Sequence, residues 1–365
     1  MSQDFDIVVI GAGIAGASIA AELAPHASVM VAEAEQFPGY HSTGRSAAFW
    51  AECYGGPGIA PLTLASGDWL RDNGFLHRRG AVHLARQEDT AEIHAFESAF
   101  ADSGVTIERL ERFQIEQLVP GIRREWTHAI SEPLCADIDV GRLHQHYLAT
   151  AKQAGAQFRM NCRLASAKRG DPGWELAFSD GSDCRAAYLV NAAGAWADEV
   201  AEIGGAGALG IAPYRRTVVQ LRVDPPSDPD LPLVLDINGS FYFKPESGRL
   251  WLSPHDETPC EPCDAAPEEL DIAIAIDRFE KAVEWKIEAL ERKWAGLRSF
   301  APDRLPVYGF DPQCDGFFWF AGQGGFGIQT APAAARLAAQ MLMGMGRDAM
   351  TQTIDSAVYS PARFG

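Results

Sequence analysis

The sequence predicts an α/β fold in which a largely parallel sheet is interleaved with an α+β unit that carries an antiparallel sheet. Three observations support this prediction. An apolar strand, Phe5–Ile10, runs into the glycine turn Gly11–Gly16, which has the glycine spacing of a nucleotide-type loop. A strand followed by a glycine-bearing turn returns at Val190–Trp196 and again at Gly316–Gln329. Short strand patterns follow one another between Thr217 and Ser253, which is typical of an antiparallel sheet.

The turn after the first strand reads Gly11-Ala-Gly13-Ile-Ala-Gly16, and each glycine has a separate physical task. Gly11 allows the sharp turn, Gly13 lets the backbone approach a phosphate, and Gly16 lets the following helix lie close to the sheet. The helix start, with its free N–H groups and its dipole, suits a diphosphate. Glu33 follows Gly13 by twenty positions, where a carboxylate can accept hydrogen bonds from ribose hydroxyls. With an apolar strand before it and this acid after it, the turn predicts a Rossmann-like dinucleotide site rather than a chance glycine-rich loop.

Composition limits the classes of partner. The chain has 365 residues, of which 47% are hydrophobic and 22% charged, as in ordinary globular proteins. A net charge of −18 argues against nucleic acid and against charge-driven docking on anionic lipid. The start of the chain lacks the basic residues of a signal peptide, and no run is apolar enough to span a membrane. We therefore expect a cytoplasmic protein without integral membrane contact, whose seven scattered cysteines are reduced.

Two residue pairs resemble metal or redox motifs, and we expect neither to be one. Cys260 and Cys263 lie in a Pro-rich stretch with no second cysteine pair, so a surface loop is favoured over a zinc knuckle or a redox dithiol. His144 and His146 lie on a predicted helix, where positions i and i+2 point to different faces. No metal is expected.

The remaining elements are predicted in chain order. Helices are expected at 58–73, 88–103, 112–119, 142–152, 268–292 and 331–343, and strands at 162–169, 174–179, 186–193, 217–223, 233–236, 240–244, 249–253 and 316–321. In the helix at 268–292 the apolar residues recur at three- and four-residue steps, which predicts a packing face. Pro332 is expected in the first turn of its helix, where its missing N–H costs little.

The pattern predicts two interleaved domains. Residues 1–75, 140–216 and 298–365 would form the cofactor domain, because the glycine-bearing turns belong to these segments. Residues 76–139 and 217–297 would form the substrate domain with the antiparallel sheet. Insertions of this kind enter at loops without breaking the parent sheet.

Several segments in this order resemble the D-amino-acid oxidase-like flavoprotein family, which includes glycine oxidase and sarcosine oxidase. They are the first glycine turn with Glu33, then Val190–Trp196, Trp294–Ser299 and Gly324–Gln329. Gly39–Ala48 and Ser240–Pro245 look most similar to bacterial D-arginine dehydrogenase. The resemblance covers nearly the whole chain and implies a glutathione reductase-type FAD-binding domain. It also implies non-covalent FAD, because no cysteine lies between Cys263 and Cys314, where a relative tethers its flavin.

The resemblance implies a set of FAD-binding residues beyond the first turn. His41–Ala48 would wrap the flavin and its phosphates, Arg163 or Leu164 would hold the adenine through backbone groups, and Gly324–Gln329 would contact the isoalloxazine. The complete expected set is Gly11, Ala12, Gly13, Ile14, Ala15, Gly16, Glu33, Ala34, His41, Ser42, Thr43, Gly44, Arg45, Ser46, Ala47, Ala48, Arg163, Leu164, Ala193, Gly194, Trp196, Gly324, Gly325, Phe326, Gly327, Ile328 and Gln329. A helix start beside the flavin would also stabilise the negative charge of its reduced form.

The resemblance also implies the substrate-binding residues. Arg298 matches the arginine that holds the substrate carboxylate, and Arg216 matches a second contact. Without the resemblance, a surface or interdomain salt bridge would be the favoured role of each arginine. Tyr54 and Tyr242 match tyrosines that line the pocket, and Gly325 completes the expected catalytic set.

The chain departs from the D-arginine enzyme at two places that concern the substrate side chain. That enzyme has an acidic residue where this chain has Gly80-Ala81-Val82, and a histidine where this chain has Phe49. The departures favour neutral or apolar amino acids over arginine or lysine.

The expected activity is the FAD-dependent oxidative deamination of D-amino acids. A hydride would pass from the substrate Cα to flavin N5, and the imine would hydrolyse to a 2-oxo acid and ammonia. The electron acceptor would be oxygen, a quinone or an electron-transfer protein. Alternatives are a 2-hydroxy-acid or glycerol-phosphate dehydrogenase, a sarcosine-type oxidase of N-substituted glycine, and a flavin-binding subunit of a hetero-oligomeric oxidase.

Overall fold

The structure is a computed structural model that describes residues 3–365. The helices are α1 Ile14–Leu23, α2 Ala60–Asp72, α3 Thr90–Phe100, α4 Arg112–Leu118, α5 Val140–Gln153, α6 Ala197–Gly204, α7 Glu269–Ala282 and α8 Gly327–Met343. The strands are β1 Gln3–Ile10, β2 Val29–Ala32, β3 Phe49–Trp50, β4 Leu76–Arg78, β5 Ala81–Arg86, β6 Glu108–Glu111, β7 Trp126–Glu132, β8 Ala136–Ile138, β9 Gln157–Arg159, β10 Leu164–Gly170, β11 Gly173–Phe178, β12 Asp183–Asn191, β13 Ala212–Asp224, β14 Leu233–Asp236, β15 Tyr242–Glu246, β16 Arg249–Ser253, β17 Thr258–Pro259, β18 Lys286–Phe300, β19 Val307–Phe310, β20 Phe317–Ala321 and β21 Gln323–Gly324. None of the helices within this described range is long and apolar enough to cross a membrane.

The first sheet has a parallel centre in the order β9, β2, β1, β12, β20. Its strands come from three separated parts of the chain, which confirms the predicted return to one sheet. The hairpin β10–β11 extends β12 in the antiparallel sense, and β19 pairs antiparallel with β20. Because the central strands are parallel, their carboxyl ends meet at one edge, which is where α/β sheets bind ligands.

The helices cover both faces of the first sheet, as the apolar runs of its strands require. Helix α1 packs between α5 and α8 on one face, in a core that contains Ile7, Val9 and Leu337. Helix α6 packs on the other face against Leu189 and Phe317. The arrangement supports the predicted α/β class.

The second sheet has ten strands, with the path β21, β18, β13, β16, β15, β14, β5, β7, β6, and β17 beside β13. Its two longest strands, β13 and β18, pair antiparallel along their whole length. Alternate residues face opposite sides of a strand. Arg215 therefore points to α7, where it bonds Asp271 and Glu268, whereas Arg216 points to the other side.

The prediction of a helix at 268–292 is wrong in its second half. Helix α7 ends at Ala282, and the next residue, Val283, is extended and buried. The chain then enters β18, where Ile287 pairs with Val223 and Leu290 pairs with Leu221. The apolar spacing fitted a helix, but pairing with a strand far away in the sequence decided the conformation.

Two further expectations need correction. Helix α8 begins at Gly327, so Pro332 lies inside the helix rather than in its first turn. The proposed domain boundaries after residue 216 and before residue 298 cut through β13 and β18, which both belong to the ten-stranded sheet. A two-domain division remains a proposal, and it is better placed before Ala212 and after Phe300.

Candidate active site

A groove opens at the carboxyl ends of the parallel strands, where all three predicted glycine-bearing turns converge. The space inside it, including its open mouth, is about 1320 Å³. Of the expected FAD-binding residues, those that line the groove are Gly11, Gly13, Ile14, Ala15, Glu33, Ala34, His41, Ser42, Thr43, Ser46, Arg163, Leu164, Ala193, Gly194, Trp196, Gly324, Gly325, Gly327 and Ile328. Because the lining joins all three glycine-bearing turns to Arg298, the groove suits an extended ligand.

The first glycine turn has the geometry that its sequence predicts. Gly11 has a φ of +100°, and a Cβ there would lie 2.6 Å from the carbonyl oxygen of Ala192. A Cβ on Gly16 would lie 1.8 Å from the carbonyl oxygen of Gly11. The turn therefore tolerates no side chain at either position, and the close approach of α1 to β1 depends on both glycines.

Side chains from three other segments hold this turn in place. The Glu33 carboxylate accepts hydrogen bonds from the amides of Ala12 (2.7 Å) and Glu35 (3.0 Å). Thr43 Oγ1 accepts one from the amide of Ile14 (2.9 Å). His144 Nε2 donates to the carbonyl of Ala12 (2.9 Å), so His144 supports the turn and is not a metal ligand. Because a carboxylate oxygen can accept more than one bond, Glu33 still has acceptor capacity towards the groove.

His41 presents an unpaired polar atom inside the groove. Its Nε2 bonds Glu35 Oε1 at 2.9 Å, and its ring lies 4.7 Å from that of Trp196, centroid to centroid. Its Nδ1 is buried with no hydrogen-bond partner in the structure. A buried polar atom without a partner costs free energy, so a ligand atom at this position would satisfy it.

Arg45 lies behind the groove and ties the loop Tyr40–Arg45 to the second sheet. Its guanidinium pairs with Asp264 and donates to the carbonyl oxygens of Ala265 (2.9 Å) and Ala295 (3.3 Å). Its own carbonyl accepts a bond from Trp294 Nε1 (3.0 Å). We call residues 40–45 the cofactor strap.

Several expected FAD-binding residues do not line the groove: Ala12, Gly16, Gly44, Arg45, Ala47, Ala48, Phe326 and Gln329. Gln329 is buried, and its side chain bonds the backbone of Ala51 and Tyr54 and the hydroxyl of Thr63. It therefore positions the loop that carries Tyr54. The backbone of Arg163 is bonded to Ser179: the Arg163 amide donates to Ser179 Oγ, and the Ser179 amide donates to the Arg163 carbonyl.

Arg298 lies where the groove meets the inner face of the second sheet. It is 7% exposed and forms no ion pair with any carboxylate in residues 3–365. Its one protein hydrogen bond goes to the carbonyl of Leu297 at 3.1 Å. Burial and the nearby Arg216 lower its pKa, but a guanidinium stays charged in proteins. A buried, unpaired cation of this kind calls for an anionic ligand.

Arg216 is next to Arg298 but already has partners. Its Nε donates to the carbonyl of Asp256 (2.8 Å), and its Nη2 pairs with Glu257 (3.1 Å). Glu257 is also held by Arg304. Arg216 thus forms the salt bridge that its sequence alone also allowed, and it adds positive charge to the pocket from behind.

Tyr54 and Tyr242 complete an aromatic wall with Phe49. The Phe49 ring lies 5.1 Å from Tyr54 and 6.1 Å from Tyr242, centroid to centroid. A Cβ on Gly325 would lie 2.1 Å from the Tyr54 hydroxyl, so this glycine makes room for it. The structure therefore brings Arg298, both tyrosines and Gly325 together.

His255 lies beside Tyr242, and the sequence did not reveal this neighbour of the proposed substrate residues. It follows β16, and its ring stands edge-on to Tyr242 at 5.6 Å between centroids. Burial first, and then the charge of Arg216, lower the pKa of His255 to about 3. A lone histidine after Ser253-Pro254 belongs to no sequence motif. His255 comes to lie beside Tyr242 because β16, which precedes it, pairs with β15 and β13.

The residues present fit a dinucleotide with a charged substrate beside it. The glycine turn leaves a cradle that any Cβ would fill, His41 offers an unpaired buried nitrogen, and Arg298 offers an unpaired buried cation. No cluster of three or more residues that could bind a metal is present in residues 3–365. Cys260 is partly buried, Cys263 is exposed, and both thiols are free, as the surface-loop interpretation expects.

Comparisons with known proteins bear on this site. The family model for FAD-dependent oxidoreductases (DAO) matches residues 6–341. The glycine oxidase of Pseudomonas aeruginosa is 26% identical over 382 residues, which are 98% of this chain and 98% of that protein. FAD-dependent oxidoreductase domain-containing protein 1 of Xenopus laevis is 26% identical over 197 residues, so the match spans 48% of this chain and 38% of that protein.

Solved structures share the fold. Glycine oxidase from Geobacillus kaustophilus has a TM-score of 0.83 at 22% identity and covers 99% of both chains. L-proline dehydrogenase from P. horikoshii has a TM-score of 0.85 at 22% identity, with coverage of 100% of this chain and 98% of that one. At these identities the likeness establishes the architecture, and substrates must be argued from the site.

Proposed function

The chain belongs to the DAO family of FAD-dependent oxidoreductases, and from this premise we propose that it oxidises amino acids by deamination. The substrate would lose a hydride from Cα and a proton from its nitrogen to give an imine, which water converts to a 2-oxo acid and ammonia. We propose that FAD binds without a covalent link and that the substrates are D-amino acids with neutral or apolar side chains. Bound FAD supplies the two-electron acceptor.

The observation that carries this proposal is Arg298. It is buried, unpaired and at the junction between the groove and the aromatic pocket. A guanidinium binds a carboxylate through two parallel hydrogen bonds, which fixes both position and orientation. Holding the carboxylate there would place the adjacent Cα near the groove.

The other pocket residues would orient and enclose the substrate. Tyr54 and Tyr242 would donate hydrogen bonds to the carboxylate, since both contribute to the electrostatic surroundings of Arg298. Phe49 would keep water from the reacting carbon. Positioning of this kind lowers a barrier by pre-organising the reactants, and no general base is required from the protein.

The choice of side chain rests on the charges around the pocket. The carboxylates near Arg298 are already engaged: Asp256 bonds Thr217, and Glu257 bonds Arg216 and Arg304. Neither is free to pair with a cationic side chain. Neutral side chains therefore suit the pocket better than lysine or arginine.

Oxidation of glycine or an N-substituted glycine is the second candidate. It is favoured by the glycine oxidase relative, which this chain matches over almost its full length. These substrates present the same carboxylate to Arg298 and the same C–N bond, and differ in lacking a Cα side chain.

An anaerobic substrate panel tests the proposal. The holoenzyme is mixed with D- and L-amino acids, glycine, sarcosine and 2-hydroxy acids while the visible absorbance of the flavin is followed. We expect bleaching by D-amino acids with neutral side chains and release of ammonia. Bleaching by glycine or sarcosine alone would select the second candidate, and bleaching by hydroxy acids alone would contradict both.

A further inference from the structure

We propose that His255 binds the substrate amino group as a neutral hydrogen-bond acceptor and so selects amines among carboxylate ligands. The inference rests on the proposed function, because it assigns a role in the same pocket. His255 would complement Arg298: one residue binds the carboxylate, and the other binds the nitrogen on the same carbon.

The backbone and one hydrogen bond fix how the His255 ring is presented. His255 has a φ of +54°, in the left-handed region that few non-glycine residues adopt. Its Nδ1 lies 2.8 Å from the carbonyl oxygen of Gly239. A carbonyl only accepts, so Nδ1 carries the proton and Nε2 carries the lone pair.

The other nitrogen of His255 is unpaired and is not sealed from solvent. Nε2 has no hydrogen-bond partner in residues 3–365, and it is not among the fully buried, unsatisfied atoms of that range. The ring stands against Tyr242, and both Arg216 and Arg298 act on it electrostatically. An unpaired acceptor atom is thus available beside Tyr242 and the two arginines.

Burial, and after it the surrounding positive charges, keep His255 neutral. Arg216 faces it from β13, Arg298 from β18 and Arg278 from α7, while Tyr242 faces it from β15. Its chain neighbour Asp256 bonds Thr217. The three cations oppose a fourth charge, so the imidazole remains an acceptor at any working pH.

This neutrality also defines what His255 does not do. An imidazole that resists protonation cannot take the ammonium proton of the substrate. The same cations disfavour a bound ammonium, so the amine would bind in its neutral form after releasing its proton to water. One remaining N–H then donates to Nε2, and no proton is transferred to the protein.

A pair of non-oxidisable ligands isolates the interaction. 2-Aminoisobutyrate has a carboxylate and an amine but no hydrogen on Cα, and isobutyrate lacks the amine. The dissociation constant of each is measured from the change in the flavin absorbance of the holoenzyme. Because the amine binds in its neutral form, we expect the affinity of the wild type for 2-aminoisobutyrate to rise about 10-fold per pH unit, whereas its affinity for isobutyrate should not rise.

His255→Asn is the matched variant. Asparagine tolerates the left-handed backbone, and its amide can still donate to Gly239, but it has no atom at the place of Nε2. At one pH, the variant should bind 2-aminoisobutyrate about 10-fold more weakly than the wild type, while the isobutyrate constant changes less than about two-fold, a difference that a merely structural role would not produce. His146→Asn, on a half-buried histidine of α5, should retain the wild-type ratio of the two constants. Equal losses for both ligands, or an unchanged ratio, would overturn the proposal.

A measurement on the wild type is decisive where the variant does not fold. The ratio of the two dissociation constants is followed between pH 5.5 and 8.5. A neutral acceptor predicts no break near the ordinary histidine pKa of about 6.5, and such a break would refute it. Failure of the proposed function can be told apart from failure of this inference. If the proposed function is wrong, no amino acid bleaches the flavin, whatever the ratio of the two dissociation constants.

Discussion

At the scale of single residues, the site depends on which side of a strand each charge faces. Arg215 and Arg216 are adjacent in sequence, yet Arg215 is bound to α7 and Arg216 lies beside the pocket. The family resemblance could propose roles for Arg298 and the tyrosines because they lie in recognisable segments. It could not identify His255, whose place depends on long-range strand pairing and on a turn with a positive φ.

Removing the Arg298 guanidinium should weaken substrate binding without releasing FAD. Arg298→Ala should raise the dissociation constant of a carboxylate ligand about 30-fold or more, because it removes one partner of a buried charge pair. Arg298→Lys should recover part of the affinity. The ligand titration is read from flavin absorbance, with Arg222→Ala, a half-exposed arginine of β13, as the control. Normal binding in Arg298→Ala would contradict the assigned role.

His255 should make the folded protein sensitive to acid. Its folded pKa of about 3 is below the unfolded value of about 6.5, so only the unfolded state gains a proton between these values. Stability is therefore full above pH 6.5 and falls below it, by about 1.4 kcal/mol per pH unit from this group. Urea unfolding should show a shallower fall for His255→Asn than for the wild type. Parallel curves for the two proteins would disprove this.

At the scale of elements, the local motifs and the return of three segments to one sheet were predictable, but the pairing of β13 with β18 was not. The strand, glycine turn and helix from Phe5 to Leu23 follow from spacing, because the close contact of Gly16 with the carbonyl oxygen of Gly11 arises within the motif. The false extension of α7 to residue 292 has the opposite origin. Its apolar spacing was compatible with a helix, and the partner strand β13 lies some sixty positions earlier in the chain.

The contact between β1 and α1 gives a test at this scale. Gly16→Ala should destabilise the apoprotein by about 3 kcal/mol or more, because the new Cβ would lie 1.8 Å from a backbone oxygen that cannot move freely. Gly346→Ala is a matched control, since a Cβ there meets nothing within 4 Å. Urea unfolding measures both. Equal stability of the two variants would show that the helix can shift at little cost.

At the scale of the whole molecule, the cofactor groove is closed by contacts that join the two sheets. The cofactor strap belongs to the first half of the chain, but Arg45 anchors it to Asp264 and Ala265 and to the carbonyl of Ala295 in β18. The resemblance placed Arg45 against the cofactor. In the structure Arg45 does not line the groove, and its guanidinium is held by these partners instead.

Loss of the strap anchor should weaken FAD binding more than it weakens the fold. Arg45→Ala should raise the FAD dissociation constant about 10-fold, since hydrogen bonds from a charged group are lost while the core is untouched. FAD fluorescence quenching measures the affinity, and thermal unfolding of the apoprotein checks the fold. Arg169→Ala, which removes an exposed pair with Asp315, should leave the affinity unchanged. An unaltered FAD affinity in Arg45→Ala would show that the cofactor strap keeps its position without the contacts of Arg45.

The last residues of β18 have a mechanical consequence. Directly after Arg298, Ser299 and Phe300 pair with Gly324 and Gln323 of the third glycine-bearing turn. Arg298, the proposed carboxylate anchor, and the wall of the groove are therefore joined by one hydrogen-bonded ladder. Substitutions on β15 and β16 that alter the proposed side-chain preference should leave this ladder, and with it the spacing between anchor and groove, unchanged.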